Sequence, residues 1–585
     1  MPLSLTRPLV AAALGALLCL PLASRAAEED AGAYLAARSA VIASDYRDAA
    51  SWFTRALLAD PDNQQLLDGA LVGRMSLGDF EGAKPIAQRI VTLGGNSPAA
   101  NIALAADQAK RGAFDEFLAD QAAGRTINPA VDMLSLAWAQ VGAGSMSEAL
   151  EGFDRISATT GLEAFGRYHK ALALASVGDF EGAEALMSGG LRMMRRGIIA
   201  HAQILSQLER NKDALALLDK EFGTEQDPMI DALRAQLRAG ATLPFDVVRN
   251  ATDGLAEVYF TVATALNGEA SNSYTLVYAR TAVFLRPDHL DSILLAAGLL
   301  IRQGQTDLAI EVYDLVAKDH PAFYAVEIGR AEALASDDRN DEAIAVLTRL
   351  TGTHGDLMMV HLALGDLLRK VERFDEASHA YDRALDRVGT VNPSHWVLFY
   401  SRGITHEREK RWEKADADFR KALELNPDQP LVLNYLGYSL VERGEKLDEA
   451  LGMIQRAVAA QPDSGFIVDS LAWALFTLGR YDEALDPMER ASILEPVDPI
   501  VTDHLGDVYW AVGRKLEAEF QWHRALSFDP EEELATRIRR KLEIGLDAVL
   551  AEEGALPLDQ RRAAFDTPET GTGPGDGDGA VTDDD

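Results

Sequence analysis

The 585 residues carry 56 Lys and Arg against 91 Asp and Glu, a formal net charge of -35 with 48% hydrophobic residues. A surface this acidic argues against nucleic acid and anionic membrane faces as partners, since both need basic side chains against phosphate. The single cysteine, Cys19, argues against a disulfide framework and a cysteine metal site.

The chain opens with MPLSLTRPLV, one basic residue (Arg7) and an apolar run from Leu9 to Leu22. This reads as a secretory leader over residues 1–26, cut after Ala26 with Ser24 three residues from the cut. The run is too short for a comfortable membrane span. Leu18 stands where lipidation of Cys19 would need a small residue, so a lipid anchor on the outer membrane is the less favoured alternative to a free periplasmic protein. The mature chain then has no cysteine, as suits an oxidising compartment.

Residues 27–211 read as a first array of helix pairs. Ala49, Phe53, Ala56 and Pro61 form one small–large–small–proline set, and the hexapeptide GDFEGA occurs both at Gly78–Ala83 and at Gly178–Ala183. Residues 212–254 are the least regular stretch. A shortened hairpin is expected around Met229–Arg249, with Thr242, Leu243 and Pro244 marking a break and a bend between two arrays. Residues 255–530 read as a second array, entered through GLAEVYFTVATALNG and SYTLVYARTAVFLRP, with Ala309, Ala343 and Ala377 spaced by 34.

From Ser394 to Glu533 the pattern is sharpest. Pro427, Pro462, Pro496 and Pro530 step by 35, 34 and 34, as do Ala415, Ala450, Ala484 and Ala518. Such a period signals stacked two-helix units that bury their apolar faces only against neighbours. Within one unit, Leu433, Leu436 and Leu440 lie on one helical face, and Leu447, Ala450, Ile454 and Ala457 on the next. The extra residue between Gly437 and Ala450 is expected to lengthen the turn at Gly444–Lys446. Residues 531–554 read as a capping helix, with Leu534, Ile538, Leu542 and Leu546 inward and Arg537, Arg539, Arg540 and Lys541 on the polar side. Residues 555–585, rich in Gly, Pro, Thr and Asp, read as a disordered acidic tail.

Leu436 and Gly437, Ala450, Ala457 and Pro462 make this pattern resemble the tetratricopeptide repeat. The resemblance implies an all-α chain, an α-solenoid of helix hairpins wound into a right-handed superhelix that binds proteins or peptides. NYLGYSL, VDSLAWALFTLGRYDEAL and DHLGDVYWAVGR further resemble exported bacterial envelope proteins of this kind, among them the lipoprotein adaptor of a periplasmic carboxyl-terminal processing protease. That likeness implies delivery of cell-wall hydrolases or other substrates to a protease, and the missing lipidation signal departs from it.

No Walker loop, nucleophile elbow or HExxH is present. His406 and Glu407 lack a second histidine, and Asp576 and Asp578 lack the flanking helices of a calcium loop. A non-enzyme is expected, with no cofactor, no metal site and an unassigned oligomeric state. The first helices of a curved stack line its inner face. That stripe holds Tyr400 and Glu407, Asn434 and Tyr438, Asp469 and Trp473, then Asp503, His504, Asp507 and Trp510. Two readings stand for it: a groove for an extended peptide, with amides on the backbone and aromatics supplying contact area, or aromatic packing beside a solvated acidic face. Sugar stacking on the aromatics, in polysaccharide export or peptidoglycan assembly, is the alternative function.

Overall fold

The computed structural model describes residues 21–191, 193–223 and 227–561. Of the expected leader over 1–26, residues 1–20 with Cys19 lie outside the described residues, as do 562–585 of the expected tail over 555–585; within that tail Leu558 is instead buried, its carbonyl accepting from Tyr481 Oη at 3.0 Å. The chain divides into two compact units, residues 1–367 and 368–585. Among the described residues the only β-type pairing is an isolated bridge between Asn267 and Ala270.

Unit 1 begins with hairpins of a first and a second helix. They are α1 (Pro21–Ile42) with α2 (Tyr46–Ala56), α3 (Gln64–Leu77) with α4 (Phe80–Thr92), and α5 (Pro98–Arg111) with α6 (Phe114–Ala122). Next come α7 (Pro129–Gly142) with α8 (Met146–Ser157), α9 (Glu163–Ser176) with α10 (Phe180–Met187), and α11 (Arg195–Gln207) with α12 (Asn211–Phe222). Asn63, Ser97 and Asn128 accept from backbone N–H groups at the starts of α3, α5 and α7, satisfying donors that a helix leaves open. Gly78 and Gly112 take left-handed backbone at the ends of α3 and α5, a conformation that suits glycine.

The expected shortened hairpin is absent. Instead α13 (Pro228–Arg238) is followed by a non-helical segment, Ala241–Asn250, and then by α14 (Ala251–Leu266) and α15 (Asn272–Leu285). These two helices return onto the first helices of the preceding hairpins: α14 packs on α5, α7 and α9, and α15 on α3 and α5. The Phe80 and Phe284 rings stack at 4.4 Å. Buried Arg280 of α15 donates to Ser76 O at 2.8 Å and Leu77 O at 3.1 Å, occupying carbonyls that the end of α3 leaves open. Thr252 Oγ1 donates to Ala109 O at 2.9 Å, and Lys110 Nζ to Leu285 O at 3.1 Å. Hairpin order then resumes with α16 (Leu290–Ile301) and α17 (Thr306–Tyr313), α18 (Phe323–Ser336) and α19 (Asn340–His354); the unit boundary falls inside α20 (Met358–Lys370).

Unit 2 continues with α21 (Phe374–Leu385), a 3₁₀ turn (Pro393–His395), and α22 (Trp396–Arg408) with α23 (Trp412–Leu425). The pairs α24 (Pro430–Glu442) with α25 (Leu447–Ala460), α26 (Gly465–Thr477) with α27 (Tyr481–Leu494), and α28 (Pro499–Ala511) with α29 (Lys515–Leu526) follow. Two further helices, α30 (Glu532–Ile544) and α31 (Leu546–Glu552), complete the unit. Each hairpin turns through a positive φ at Lys410, Gly444, Gly479 and Gly513, and the longer α24–α25 turn has a second at Lys446. The small residues let paired helices approach closely: a Cβ on Gly437 would meet Ile454 Cγ1 at 2.7 Å and Ala450 O at 2.9 Å.

Candidate functional site

In unit 1, the side of the array where a partner would lie is taken by the chain itself. Asn211 Nδ2 donates to Ala241 O at 2.9 Å, Gln207 Nε2 to Leu243 O at 2.5 Å, and Leu243 N to Ser206 Oγ at 2.9 Å. Asp246 N donates to Gln203 Oε1 at 3.1 Å, and Arg196 Nη2 to Val247 O at 2.8 Å. As the segment advances from 241 to 247, its partners recede from 211 to 196, so it runs antiparallel to α11. Within α11, Gln207 and Arg196 are eleven residues apart, a rise of roughly 17 Å, and the four steps from Leu243 to Val247 cover about 13 Å of it only when extended, the long Arg196 side chain reaching the rest. The first array therefore holds its own chain as an extended, main-chain-clasped ligand.

In unit 2, the first helices α22, α24, α26 and α28 carry the sequence-predicted residues, but these fall into separate clusters. Asp503 and Asp507 are buried under α30. Lys541 Nζ donates to Asp503 Oδ2 at 2.8 Å and Asp507 Oδ1 at 2.6 Å, and Trp522 Nε1 donates to Asp507 Oδ1 at 3.0 Å. Burial pushes Asp503 up, opposed by the Lys541 charge. Lys541 thus lies on the inward face of α30 rather than the polar one, where it donates to two carboxylates removed from water, with Arg537 Nη1 farther off at 3.7 Å from Asp503 and 3.6 Å from Asp507. Trp510 is held by Trp522 at 5.3 Å between ring centroids, and its Nε1 donates to Asp547 at 2.8 Å. These three residues serve the end of the stack and do not line an open groove.

His504 and Asp469 form a second cluster. His504 Nδ1 lies 3.0 Å from Asp469 Oδ1, and the imidazole stacks on Trp473 at 3.9 Å. Burial lowers the imidazole pKa, but the Asp469 carboxylate and the Asp503 and Asp507 charges outweigh it, leaving the group raised. Tyr400 packs among Trp396, Phe419 and Tyr435, at 6.0, 6.2 and 6.0 Å.

Glu407, Asn434 and Tyr438 are half-buried on α22 and α24. Glu407 and neighbouring Glu442 are both pushed up, first by burial; their mutual repulsion adds to this for Glu407, while the Tyr438 hydroxyl draws Glu442 down. Asn434 Oδ1 is buried with no hydrogen-bond partner among the described residues. At the starts of the first helices stand Val397, Leu431, Phe466 and Ile500, the second residue of each, exposed by between 39% at Val397 and 56% at Phe466. On α24, Leu431, Asn434 and Tyr438 are i, i+3 and i+7, a single stripe; Phe466, Asp469 and Trp473 repeat it on α26.

Residues 294–355, 362–430, 403–465 and 435–499 match the family model described as tetratricopeptide repeat. These stretches carry tetratricopeptide repeats. The chain is similar to a TPR repeat-containing protein of Pseudomonas aeruginosa, 25% identical over 179 residues, 30% of each chain. It is also similar to the human protein O-mannosyl-transferase TMTC1, 26% identical over 189 residues, 32% of this chain and 21% of that one. The chain thus spans less than a third of the length of these curated relatives. Among solved structures, Cut9–Hcn1 of the APC/C matches with a TM-score of 0.38 at 17% identity, covering 88% of this chain and 96% of that one.

Within these repeats, sequence reasoning missed the apolar row although its signal was present: Val397, Leu431, Phe466 and Ile500 step by 34, 35 and 34, the interval of the small residues Gly403, Gly437, Ala472 and Gly506 six places later. A large apolar residue facing solvent at the same place in four repeats departs from the polar outer face expected of an amphipathic helix. Among the described residues no helix is long and apolar enough to cross a membrane.

Proposed function

We propose that the protein is a non-catalytic scaffold that captures an extended, cationic segment of a partner protein along the first helices of unit 2. The observation that carries this reading is the row Val397, Leu431, Phe466 and Ile500, exposed at the starts of the first helices, together with two carboxylates held above their usual range at the far ends of α22 and α24. Apolar side chains of a partner would cover the row, and its cations would settle Glu407 and Glu442. The chain's own residues 562–585 are acidic in sequence, so like charge disfavours them as occupant. With the leader of residues 1–26, the reading extends to an exported envelope adaptor in the periplasm, and delivery of substrates to a protease is its finer form.

The glycan reading is the weaker one. Trp473 lies parallel to both His504 and Phe476, at 3.9 and 4.9 Å, so protein rings take its stacking faces. The transferase activity in the name of the human relative is not carried over, because the match spans 21% of that protein.

The test is binding of a library of cationic, apolar peptides to the full chain, measured by fluorescence anisotropy. The double variant Leu431→Ser, Phe466→Ser should lose at least tenfold in affinity with an unchanged melting curve; equal binding by parent and variant would count against the groove. Export is tested by fusing residues 1–26 to alkaline phosphatase, which is active only outside the cytoplasm, and an inactive fusion would reject it.

A further inference from the structure

Unit 1 contains a cavity of about 370 Å³ where α14 crosses α9 and the start of α11. One wall is a single stripe of α14: Glu257, Phe260, Thr261, Thr264 and Ala265 follow helical i, i+3, i+4, i+7, i+8 spacing. Ala164, Phe165 and Tyr168 of α9 face them, and Leu191, Met193 and Met194, before α11, form the third side. Met194 is 57% exposed.

The floor is polar but already satisfied. Tyr168 Oη donates to Glu257 Oε1 at 2.9 Å, Arg196 Nε donates to Glu257 Oε2 at 2.6 Å, and His289 Nε2 lies 3.2 Å from the same oxygen. Arg196 also pairs with Asp291 at 3.4 Å. A ligand is therefore offered no unmatched charge at the floor, and it meets aromatic and thioether surface on the walls. Polar ligands would give up water without replacing its hydrogen bonds, whereas apolar ones would gain from burial. Methionines adapt to irregular aliphatic shapes.

We propose that this cavity binds an acyl chain, with the polar end of the ligand at the Met194 side in contact with solvent. At ~30 Å³ for each water-sized group, the space holds on the order of ten heavy atoms, the size of a medium-length chain. The volume also falls in the range of small-molecule sites. This inference does not depend on the peptide groove, which lies in the other unit.

The experiment uses the full chain and the neutral fluorophore N-phenyl-1-naphthylamine, whose emission rises on entering an apolar site, with displacement by dodecanoate and by the lysophosphatidylcholine of equal chain length. Displacement by the acid points to a free fatty acid and displacement by the lysolipid to a lipid tail, and either supports the proposal. Ala164 and Ala265 are exposed at opposite walls, so Ala164→Trp and Ala265→Trp each fill the space without disturbing the core. Each should weaken probe binding at least tenfold with an unchanged melting curve, while Phe466→Ser in unit 2 should leave it unaltered. Absence of binding by the parent, equal binding by both filled variants, failure of both competitors, or loss on Phe466→Ser would each overturn the proposal.

Discussion

The Lys541 ammonium donates to both oxygens of Asp507, at 2.6 and 2.7 Å, with neither side chain reaching solvent. The same ammonium donates to Asp503, so it bridges two carboxylates of α28 beneath α30, and Arg537 reaches them only at 3.6–3.7 Å. Lys541→Met should destabilise this end of unit 2 by about 3–5 kcal/mol, the cost of removing one partner from a buried ion pair. The loss should shrink at pH 4, where the stranded carboxylates can take up protons. Adding Asp503→Asn should restore part of it. Urea denaturation followed by tryptophan fluorescence measures both effects, and a Lys541→Met midpoint equal to the parent's would show that the pair is not closed in solution.

Gly254 is the point at which α14 lies against α7, since a Cβ there would stand within 2.5 Å of ring carbons of Trp138. Trp138 has no room to yield: its Nε1 donates to His169 Nδ1 at 3.1 Å, and Phe153 lies edge-on at 5.7 Å. Gly254→Val should cost about 1–3 kcal/mol through overpacking. It should also loosen the clasped segment just before α14. Trypsin cleavage after Arg249, which is held by Asp253 at 2.6 Å and Asp288 at 3.1 Å, should then accelerate. An unchanged cleavage rate would mean that the segment is held independently of α14.

The hairpins were legible because their signals are local. The Ala450–Ala457–Pro462 spacing and the turn at Gly444–Lys446 are set by residues near one another in the chain, and the structure places helix, turn and helix there. The return of α14 and α15 was not legible as such, because it depends on contacts more than a hundred residues away, such as Arg280 with Ser76. A clue existed in composition. In α15 the only charge is Arg280, and in α14 the only charges are Asp253 and Glu257, so neither helix has a polar side for solvent. Among the candidate site residues, the sequence put Asp503 and Asp507 on the same helix face as Asn434 and Asp469, but it could not show that Lys541 from α30 would claim them.

His504 supplies a pH dependence whose sign is fixed by its surroundings. The groups facing it are Asp469 of α26, Asp503 and Asp507 on its own helix, and Glu442 of α24, all acidic, with the Trp473 ring beneath. Its pKa is raised above 6.5 in the folded chain, so the folded state holds the proton more tightly than the unfolded one. The stabilisation is fully present below pH 6.5 and fades as pH rises through the folded value. The melting temperature of the parent relative to His504→Asn should therefore fall between pH 6 and pH 8. Taking the difference between the two proteins removes distant titrations common to both, and a flat difference across that range would show that His504 does not gain a proton on folding.

Glu407 and Glu442 titrate in the opposite sense with respect to a partner. Burial raises both carboxyls, so they become charged at a higher pH than exposed glutamates do. A cationic peptide binds their charged forms, and binding must therefore release protons at pH values near their raised pKa. Affinity for such a peptide should increase as pH rises above 4.5, and Glu407→Gln with Glu442→Gln should flatten the rise while lowering affinity at pH 7. The apolar row remains in that variant, so residual binding should persist and depend little on salt, whereas the parent should weaken as salt screens the carboxylates. Calorimetry in two buffers of different ionisation enthalpy counts the protons released, and a count of zero throughout a pH series rising from 4.5 would remove the two glutamates from the binding surface.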